Sequence, residues 1–250
     1  MKGKITLIQI LLVFVFVICG VRLYDNIRDK KYDKQEFENL KTEQTSQPVS
    51  EELTEDESAR LERYTQLYSQ NNDFVGWIKI PDTNIDYPVV QNKQSNAYYL
   101  HRNFEREYSS SGIPFMDYQC KSDATSDNTI IYAHNMRNGT MFHDLLKYSD
   151  AEFLNAHKII EFDSKQGSDR YEIFAVIRTK VGSKNEFKYY NFINAKTSVE
   201  FDKFIAECKK RSVYNSETVP EHGEKILTLS TCSYNTDNER FVVFARKTTV

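Results

Sequence analysis

Two β-strands near the C-terminus, each ending in a chemically useful side chain, constrain this fold more than any other feature. Residues 225–229 are mostly apolar or β-branched, which favours a strand, and Cys232 lies where that strand ends. Residues 240–245 predict a second strand, which opens with Arg240 and follows a polar loop. We therefore expect Cys232 and Arg240 at facing ends of neighbouring strands, where the fixed charge of a guanidinium favours the thiolate.

A third strand is predicted over residues 129–135, and it ends in His134. Histidine is the side chain best able to exchange protons near neutral pH. Of the five histidines, His134 ends a hydrophobic strand and enters a glycine-containing loop, whereas His143 lies in a short predicted helix and is the second candidate. His101, His157 and His222 lie in polar surroundings and are expected to be solvated. Cys, His and Arg at three strand ends suggest nucleophilic cysteine catalysis.

The composition allows one sizeable globular domain and excludes several classes of partner. The chain has 250 residues, of which 40% are hydrophobic and 28% charged, and its formal net charge is −3. This negative net charge does not favour binding of nucleic acid, and the sequence has no cluster of Lys and Arg interleaved with aromatic residues. The four cysteines form no CxxC pair and have no histidine neighbours at zinc-ligand spacing, so neither a metal nor another cofactor is expected.

Other cysteines and a second arginine compete with Cys232 and Arg240 for the chemical roles. Cys208 shares the apolar face of a predicted helix and is expected in the core, and Cys120 is expected in a loop or at a strand end. A disulfide between them stays open, although nothing in the sequence supports it. Arg246 has the strand parity of Arg240 but lies at the C-terminal edge, where we expect it to be solvated.

The N-terminal region differs in composition from the rest. Residues 5–21 are almost wholly apolar, with Lys2 and Lys4 before them, which predicts an uncleaved transmembrane helix with a cytoplasmic N-terminus. A cleaved signal peptide is the alternative, but no A-x-A-like site follows the apolar run. The sequence then turns charged and polar. The expected domains are a membrane anchor over residues 1–24, a polar stalk over 25–50 and a catalytic domain over 51–250.

Most of the globular region alternates short β-rich runs with turn residues. Two strands are predicted within residues 74–90 and one each over 158–163 and 171–180, with helices over 51–70, 140–147, 149–155 and 197–211. The last helix is capped by Thr197 and Glu200, and its apolar residues repeat at helical spacing. Mostly strands with a few helical insertions indicate a closed or nearly closed β-barrel with peripheral helices.

Four segments together resemble the class B sortases, which are membrane-anchored transpeptidases of Gram-positive bacteria. They are TLSTC ending at Cys232 with Arg240 eight residues on, IIYAHNMRNGTMFHDLLKY from residue 130, FVGWIKIPDTNIDYPVVQ from residue 74, and YYLHRNF from residue 98. The resemblance extends from about Leu53 to the C-terminus, and the segments follow the order of the family. It implies a sortase-type closed β-barrel with an N-terminal helix and a helix inserted between late strands.

The resemblance also implies a reaction and its partners. Cys232 would attack the carbonyl after Thr in an NP-x-T-[N/G]-like sorting signal and form a thioacyl-enzyme, His134 would move the protons, and Arg240 would hold the substrate backbone and the oxyanion. The expected partners are surface proteins with a C-terminal sorting signal and a peptidoglycan-precursor amine, met by a catalytic domain outside the cell. Because sortases use Arg to complete the site, Asp237 and Glu239 are interpreted as surface residues of the loop.

A substrate groove is expected from the same resemblance. The residues that match class B substrate contacts are Asn96, Leu100, Tyr132 and Ser230, together with Tyr189 and Tyr190 in the loop before the inserted helix. Core packing is the alternative for Leu100 and Tyr132, and docking of the helix is the alternative for the two tyrosines. Ser233 stands where some class B sortases have an acidic residue, so the resemblance implies no role for a carboxylate at this position.

Two other functions stay open at this point. One is a pilin-polymerising sortase, which uses a Lys side chain of another pilin as its amine; the class B segments and the absence of an obvious proline-rich lid count against it. The other is a catalytically idle, anchored binding module that keeps the barrel. The intact set of Cys232, His134 and Arg240 counts against that function.

Overall fold

The computed structural model describes residues 2–45, 53–184, 186–232 and 238–248. Its helices are α1 Lys2–Thr45, α2 Leu53–Gln70, α3 Ala151–Ala156 and α4 Ser198–Arg211. Its strands are β1 Phe74–Lys79, β2 Asp86–Val90, β3 Phe115–Met116, β4 Asn128–Tyr132, β5 Ile159–Ser164, β6 Gly167–Lys180, β7 Ile226–Cys232 and β8 Glu239–Lys247. Short 3₁₀ helices cover Tyr98–His101, Phe142–Ser149 and Tyr189–Asn191.

The strands close into a barrel in the order β1-β2-β3-β4-β7-β8-β6-β5, and β5 pairs back onto β1. Only the pairs β2–β3 and β4–β7 are parallel among the described strands. Residues of β5 alternate between the packed interior and the partly exposed side, as the two-residue period of a strand requires. The expectation of a closed β-barrel with peripheral helices is confirmed.

Helix α4 is the insertion between two late strands, β6 and β7. The Thr197 hydroxyl accepts a hydrogen bond from the Glu200 backbone N–H at 3.2 Å, so the predicted cap is present. The predicted apolar face is buried against the barrel, and it consists of Phe201, Phe204, Ile205 and Cys208. This local pattern therefore predicted both the limits of α4 and the side of the helix that packs.

The short helices before β5 differ from the prediction at their boundary. Residues Phe142–Ser149 form a 3₁₀ helix, and α3 begins at Ala151 rather than at Ser149. Asp150 caps α3, because its carboxylate accepts hydrogen bonds from the backbone N–H groups of Glu152 and Phe153 at 2.7 and 3.4 Å. An ionised acceptor caps a helix well, which explains why Asp150 rather than Ser149 marks its start.

The predicted N-terminal anchor is wrong. Among the described residues, no helix is long and apolar enough to cross a membrane. This finding contradicts the prediction of a single-pass membrane protein with a cytoplasmic N-terminus and a catalytic domain outside the cell.

Helix α1 also differs from the predicted stalk, because it continues through the charged region and packs its last turns on the barrel. Phe37 and Leu40 are buried, and the Phe37 ring meets the Tyr87 ring edge to face with 5.2 Å between centroids. Lys41 Nζ lies 3.6 Å from a carboxylate oxygen of Asp86. Two apolar side chains in an otherwise charged segment are enough to attach this end of α1 to the catalytic domain.

Cys120 and Cys208 are free thiols, so no disulfide joins them. Cys120 is buried and donates a hydrogen bond from Sγ to the Asn128 carbonyl at 3.4 Å. Burial raises the pKa of the Cys120 thiol to about 12 and raises the pKa of Cys208 as well. Both are protonated core thiols, as expected for Cys208, whereas Cys120 is more deeply packed than its predicted loop or strand end implied.

Candidate active site

Three adjacent strands of the barrel align the predicted catalytic residues. In the parallel pair β4–β7, Tyr132 is opposite Ser230, and in the antiparallel pair β7–β8, Cys232 is opposite Arg240. The first pairing continues past β4, because the Ala133 backbone N–H donates to the Ser230 carbonyl at 3.3 Å. His134 is the next residue, so His134, Cys232 and Arg240 lie at one level across three neighbouring strands.

Cys232 is the last residue of strand β7, at the strand end that the sequence predicted. Its side chain lies outside the described residues, as do Ser233 and Asp237, so its position is defined here by the backbone register. Next to it, the buried Thr231 hydroxyl donates to the Ala133 carbonyl at 2.8 Å. This bond ties the end of β7 to the segment that carries His134.

A backbone carbonyl holds the half-buried His134 ring in place. Nε2 lies 2.8 Å from the Leu100 carbonyl oxygen, and because a carbonyl can only accept, Nε2 carries the hydrogen. Nδ1 is therefore the nitrogen left to exchange protons. Burial lowers the pKa of His134, the bond to Leu100 raises it, and the positive charges of His101 and Arg240 lower it further, with a net fall. Neutral imidazole is thus the main form of His134 at neutral pH.

His101 lies beside His134, although the sequence predicted a solvated residue. The centroid of the exposed His101 ring is 5.5 Å from that of the His134 ring, at an interplanar angle of 27°. The Tyr108 ring also stacks on His101, with 6.5 Å between centroids. His101 directly follows Leu100, whose carbonyl holds His134, and no signal in the sequence pointed to this contact. The other candidate, His143, bonds to the Asn135 side chain at 2.9 Å and thus supports the loop after His134.

The two arginines of β8 occupy different surroundings. Arg240 is half-buried, lines the same cavity as His134, and donates from Nη1 to the Glu239 carbonyl at 3.1 Å. Arg246 is not a solvated edge residue as predicted, because its guanidinium lies 3.5 Å from Glu172 and 3.4 Å from Glu224. Arg246 is therefore neutralised by two carboxylates at the far end of the strand. Glu239, predicted as a loop residue, is the half-buried first residue of β8.

A cavity of about 360 Å³ opens beside the aligned residues. All six predicted substrate-binding residues line it together with His134 and Arg240; they are Asn96, Leu100, Tyr132, Tyr189, Tyr190 and Ser230. The remaining wall is mostly apolar and includes Phe115 and Val181. A mostly apolar cavity with a few convergent polar groups is suited to a short peptide.

The alternatives weighed for the groove tyrosines are both partly right. Tyr189 is buried, and its hydroxyl is 2.8 Å from the Ser230 hydroxyl, while its ring packs edge-on against Phe244 in the core beneath α4. Tyr190 is half-buried and donates from its hydroxyl to Glu186 at 2.7 Å. Tyr189 therefore both lines the groove and helps to dock the inserted helix, whereas Tyr190 lies at the rim of the groove.

Asp117 is a buried residue of the site that the sequence analysis missed. Its carboxylate oxygen Oδ2 accepts hydrogen bonds from Asn96 Nδ2 at 2.8 Å and from the Tyr132 hydroxyl at 3.0 Å. Burial, and next the charge of Asp117, raise the pKa of the Tyr132 hydroxyl. A single acid after a two-residue strand carries no recognisable pattern, so only the fold could reveal it. In the described part of the chain, no group of acidic, Cys and His side chains is arranged to hold a metal ion.

Comparison with known proteins identifies the family. The sequence model of the Sortase domain family matches residues 78–248. Sortase B of Staphylococcus aureus is 34% identical over 98% of this chain and 97% of its own length, and sortase B of Listeria monocytogenes is 35% identical over 95% and 92%.

Solved structures agree with this assignment. A Staphylococcus aureus sortase B–substrate complex superposes with a TM-score of 0.78 at 31% identity, covering 89% of this chain and 99% of the other. A sortase B complexed with Gly3 gives a TM-score of 0.77 at 32% identity, covering 88% and 99%. The chain therefore belongs to the sortase family and is a class B cysteine transpeptidase, of the kind that anchors proteins to the cell wall.

Proposed function

We propose that this enzyme cleaves an NP-x-T-[N/G]-like sorting signal after Thr through a thioacyl intermediate on Cys232 and transfers the acyl group to a peptidoglycan amine. The observation that carries the proposal is the alignment of His134, Cys232 and Arg240 across β4, β7 and β8. Each of the three chemical tasks, nucleophile, proton carrier and oxyanion partner, then has one residue at the same level of the barrel.

In the first half-reaction, the Cys232 thiolate attacks the Thr carbonyl carbon, and the carbonyl oxygen takes up the negative charge. The permanently charged guanidinium of Arg240 stabilises that oxyanion. His134, as imidazolium, gives the Nδ1 proton to the leaving amine when the C–N bond breaks, and a thioester remains. The Leu100 carbonyl favours the imidazolium form of His134, because the hydrogen bond that it accepts from Nε2 is stronger when the ring is charged.

In the second half-reaction, the now neutral His134 accepts a proton from the incoming amine. The amine attacks the thioester carbonyl, the new amide forms, and Cys232 leaves as a thiolate. Because the pKa of His134 is lowered, only a minority of molecules hold imidazolium and thiolate together at neutral pH. Slow turnover is the expected consequence of this protonation pattern.

The relatives support both substrates of the proposal. One superposable sortase B is described as a substrate complex and another is complexed with Gly3. By analogy, we assign the groove residues Asn96, Leu100, Tyr132, Ser230, Tyr189 and Tyr190 to binding the sorting peptide, and a glycine-type amine to the second step. His134, Arg240 and Asn96 line the same groove, so a peptide bound there can contact all three residues.

Mass spectrometry of the products tests the proposal. The full chain is incubated with peptides carrying NPQTN, NPKTG or a scrambled signal, with and without triglycine. The expected products are a fragment ending in Thr without the amine, and a Thr-Gly3 ligation product with it. Cleavage at another bond, or equal cleavage of the scrambled peptide, contradicts the proposed signal. Cleavage that never yields a ligation product contradicts transfer to a glycine-type amine.

A further inference from the structure

The Asp117 carboxylate lies beneath one wall of the groove and is 1% exposed. Its Oδ1 accepts from the Gln119 backbone N–H at 2.9 Å, while Oδ2 faces Asn96 and Tyr132. All three groups that face it are donors, which is the arrangement that an ionised carboxylate needs. Among the described residues, no Lys or Arg forms an ion pair with Asp117. Its negative charge therefore acts on the groove without a neutralising partner.

Asp117 fixes the direction of the hydrogen bonds around it. A carboxylate can only accept, so Asn96 turns Nδ2 toward it, and the Tyr118 backbone N–H donates to Asn96 Oδ1 at 2.9 Å, which selects the same orientation. Tyr132 gives its only hydroxyl hydrogen to Asp117. What remains for a ligand is the second N–H of Asn96 and the free lone pairs of the Tyr132 oxygen, one donor beside one acceptor.

A carboxamide side chain complements this pair. Its oxygen can accept from Asn96, and its amino group can donate to Tyr132. A carboxylate of the same size has no hydrogen for Tyr132, and the charge of Asp117 repels it. We propose that Asp117 is a specificity-determining residue of the groove, which makes Asn96 and Tyr132 accept a carboxamide side chain of the sorting signal and reject the corresponding carboxylate.

The spacing fits the first residue of the signal, and here the inference rests on the proposed function. Tyr132 precedes His134 by two residues, which is about 7 Å along a strand, and Asn96 meets the same Asp117 oxygen as Tyr132 in the same cavity. The Asn of an NP-x-T signal lies three residues before the scissile Thr, which is about 10 Å in an extended chain. The side chain of that Asn can therefore reach Asn96 and Tyr132 while the Thr carbonyl lies at the level of Cys232.

The test compares two peptides that differ only in the first signal residue, Asn or Asp, with triglycine as the amine. We measure kcat/KM for both peptides with the full-length wild type, Asp117→Asn and the control Asp144→Asn. Asp144 is an equally buried carboxylate that accepts from the Asn84 backbone N–H and pairs with Lys147, away from the groove. It therefore controls for the loss of a buried negative charge as such.

Wild type is expected to prefer the Asn peptide, and Asp117→Asn is expected to lower the Asn-over-Asp ratio at least about tenfold, while Asp144→Asn keeps it. A merely structural role would slow both peptides equally and leave the ratio unchanged, which overturns the inference. If Asp117→Asn does not fold, Tyr132→Phe decides: loss of the ratio supports the inference and an unchanged ratio overturns it. Cleavage of neither peptide by wild type contradicts both proposals, whereas cleavage with an unchanged ratio contradicts this one alone.

Discussion

At the scale of single residues, the environment of each cysteine decides which of them can act as a nucleophile. Cys120 and Cys208 are buried, and burial raises the pKa of both thiols, so neither forms a thiolate at neutral pH. Cys232 has Arg240 directly opposite on the neighbouring strand. A nearby fixed positive charge lowers the free energy of the thiolate relative to the thiol. These surroundings are the reason why we assign the nucleophile to Cys232 rather than to Cys120 or Cys208.

Arg240 provides the first prediction. Its task depends on the planar guanidinium as well as on the charge, so Arg240→Lys is expected to reduce kcat about 10²–10³-fold. Arg246→Lys is the matched control on the same strand, because Arg246 pairs with Glu172 and Glu224 far from the groove and should keep wild-type activity. Steady-state peptide cleavage with circular dichroism of each variant measures both effects. An active Arg240→Lys beside an inactive Arg246→Lys would reverse the assignment.

His101 provides the second prediction, which concerns pH. Burial lowers the pKa of His134 most, and electrostatic repulsion by His101 and Arg240 lowers it further, so the uncharged side chain in His101→Gln should raise that pKa. The acid limb of the kcat/KM profile should then shift to higher pH. The plateau of kcat/KM should also rise, by about two- to fivefold, because a higher pKa of His134 lets more molecules hold imidazolium beside thiolate.

The control for this prediction is His222→Gln, since His222 is exposed and packs edge-on against Phe201 of α4 rather than against the catalytic residues. Its pH profile should match the wild type. A plateau that falls in His101→Gln, or an acid limb that stays in place, would show that His101 does not act on His134 through its charge.

At the scale of elements, the segment between β2 and β3 connects backbone geometry with catalysis. Gly112 has a φ of +59°, and a β-carbon there would lie 2.5 Å from the Leu100 carbonyl oxygen, the group that holds His134 Nε2. Any side chain at this position must therefore displace that carbonyl. The glycine keeps the 3₁₀ helix Tyr98–His101 close enough to the next turn for the Leu100 carbonyl to orient the His134 ring.

Gly112→Ala is the third prediction. The left-handed backbone and the contact together are expected to lower the free energy of unfolding by about 2–4 kcal/mol and kcat/KM about tenfold. Gly223→Ala separates the two causes, since Gly223 also has a positive φ but a β-carbon there meets nothing within 4 Å. It should lose stability and keep activity, as measured by thermal denaturation and peptide cleavage. Equal activity of the two variants would contradict the link to His134.

At the scale of the whole molecule, the last turns of α1 belong to the catalytic domain. Phe37→Ala removes a ring that is 6% exposed and packed on Tyr87, so the free energy of unfolding is expected to fall by about 2–4 kcal/mol. Ile27→Ala, on an exposed part of the same helix, should change it little. Urea denaturation of the full chain measures both. Equal stabilities would mean that α1 does not contribute to the folded domain.

The sequence predicted those parts of the fold that depend on neighbouring residues. Helix α4 and its cap at Thr197 follow from local spacing, and the strand ends that carry Cys232 and Arg240 follow from one hairpin-like pair. The parallel pairing of β4 with β7 joins residues about a hundred positions apart, and no local pattern encodes it. The sequence pointed to His134 because it ends a strand, and the continued register of β4 and β7 brings it level with Cys232.

What the sequence could not predict are contacts made across the barrel. Asp117 contacts Asn96 and Tyr132 only because β3 and β4 bring three separate segments together. His101 was expected to be solvated, yet the turn at Leu100 places its ring against His134. Composition likewise gave no sign that Phe37 and Leu40 of a charged segment would be buried. Each of these depends on tertiary packing rather than on a local period or motif.

The alignment of His134, Cys232 and Arg240 is tested most directly by trapping the acyl-enzyme. The full chain is mixed with a sorting peptide in the absence of an amine, quenched in acid, and analysed by intact and peptide-level mass spectrometry. The expected result is one adduct with the mass of the Thr-terminated fragment on Cys232, which triglycine removes as a ligated product. Cys232→Ala should give neither adduct nor cleavage. An adduct on Cys120 or Cys208, or cleavage by Cys232→Ala, would contradict the account.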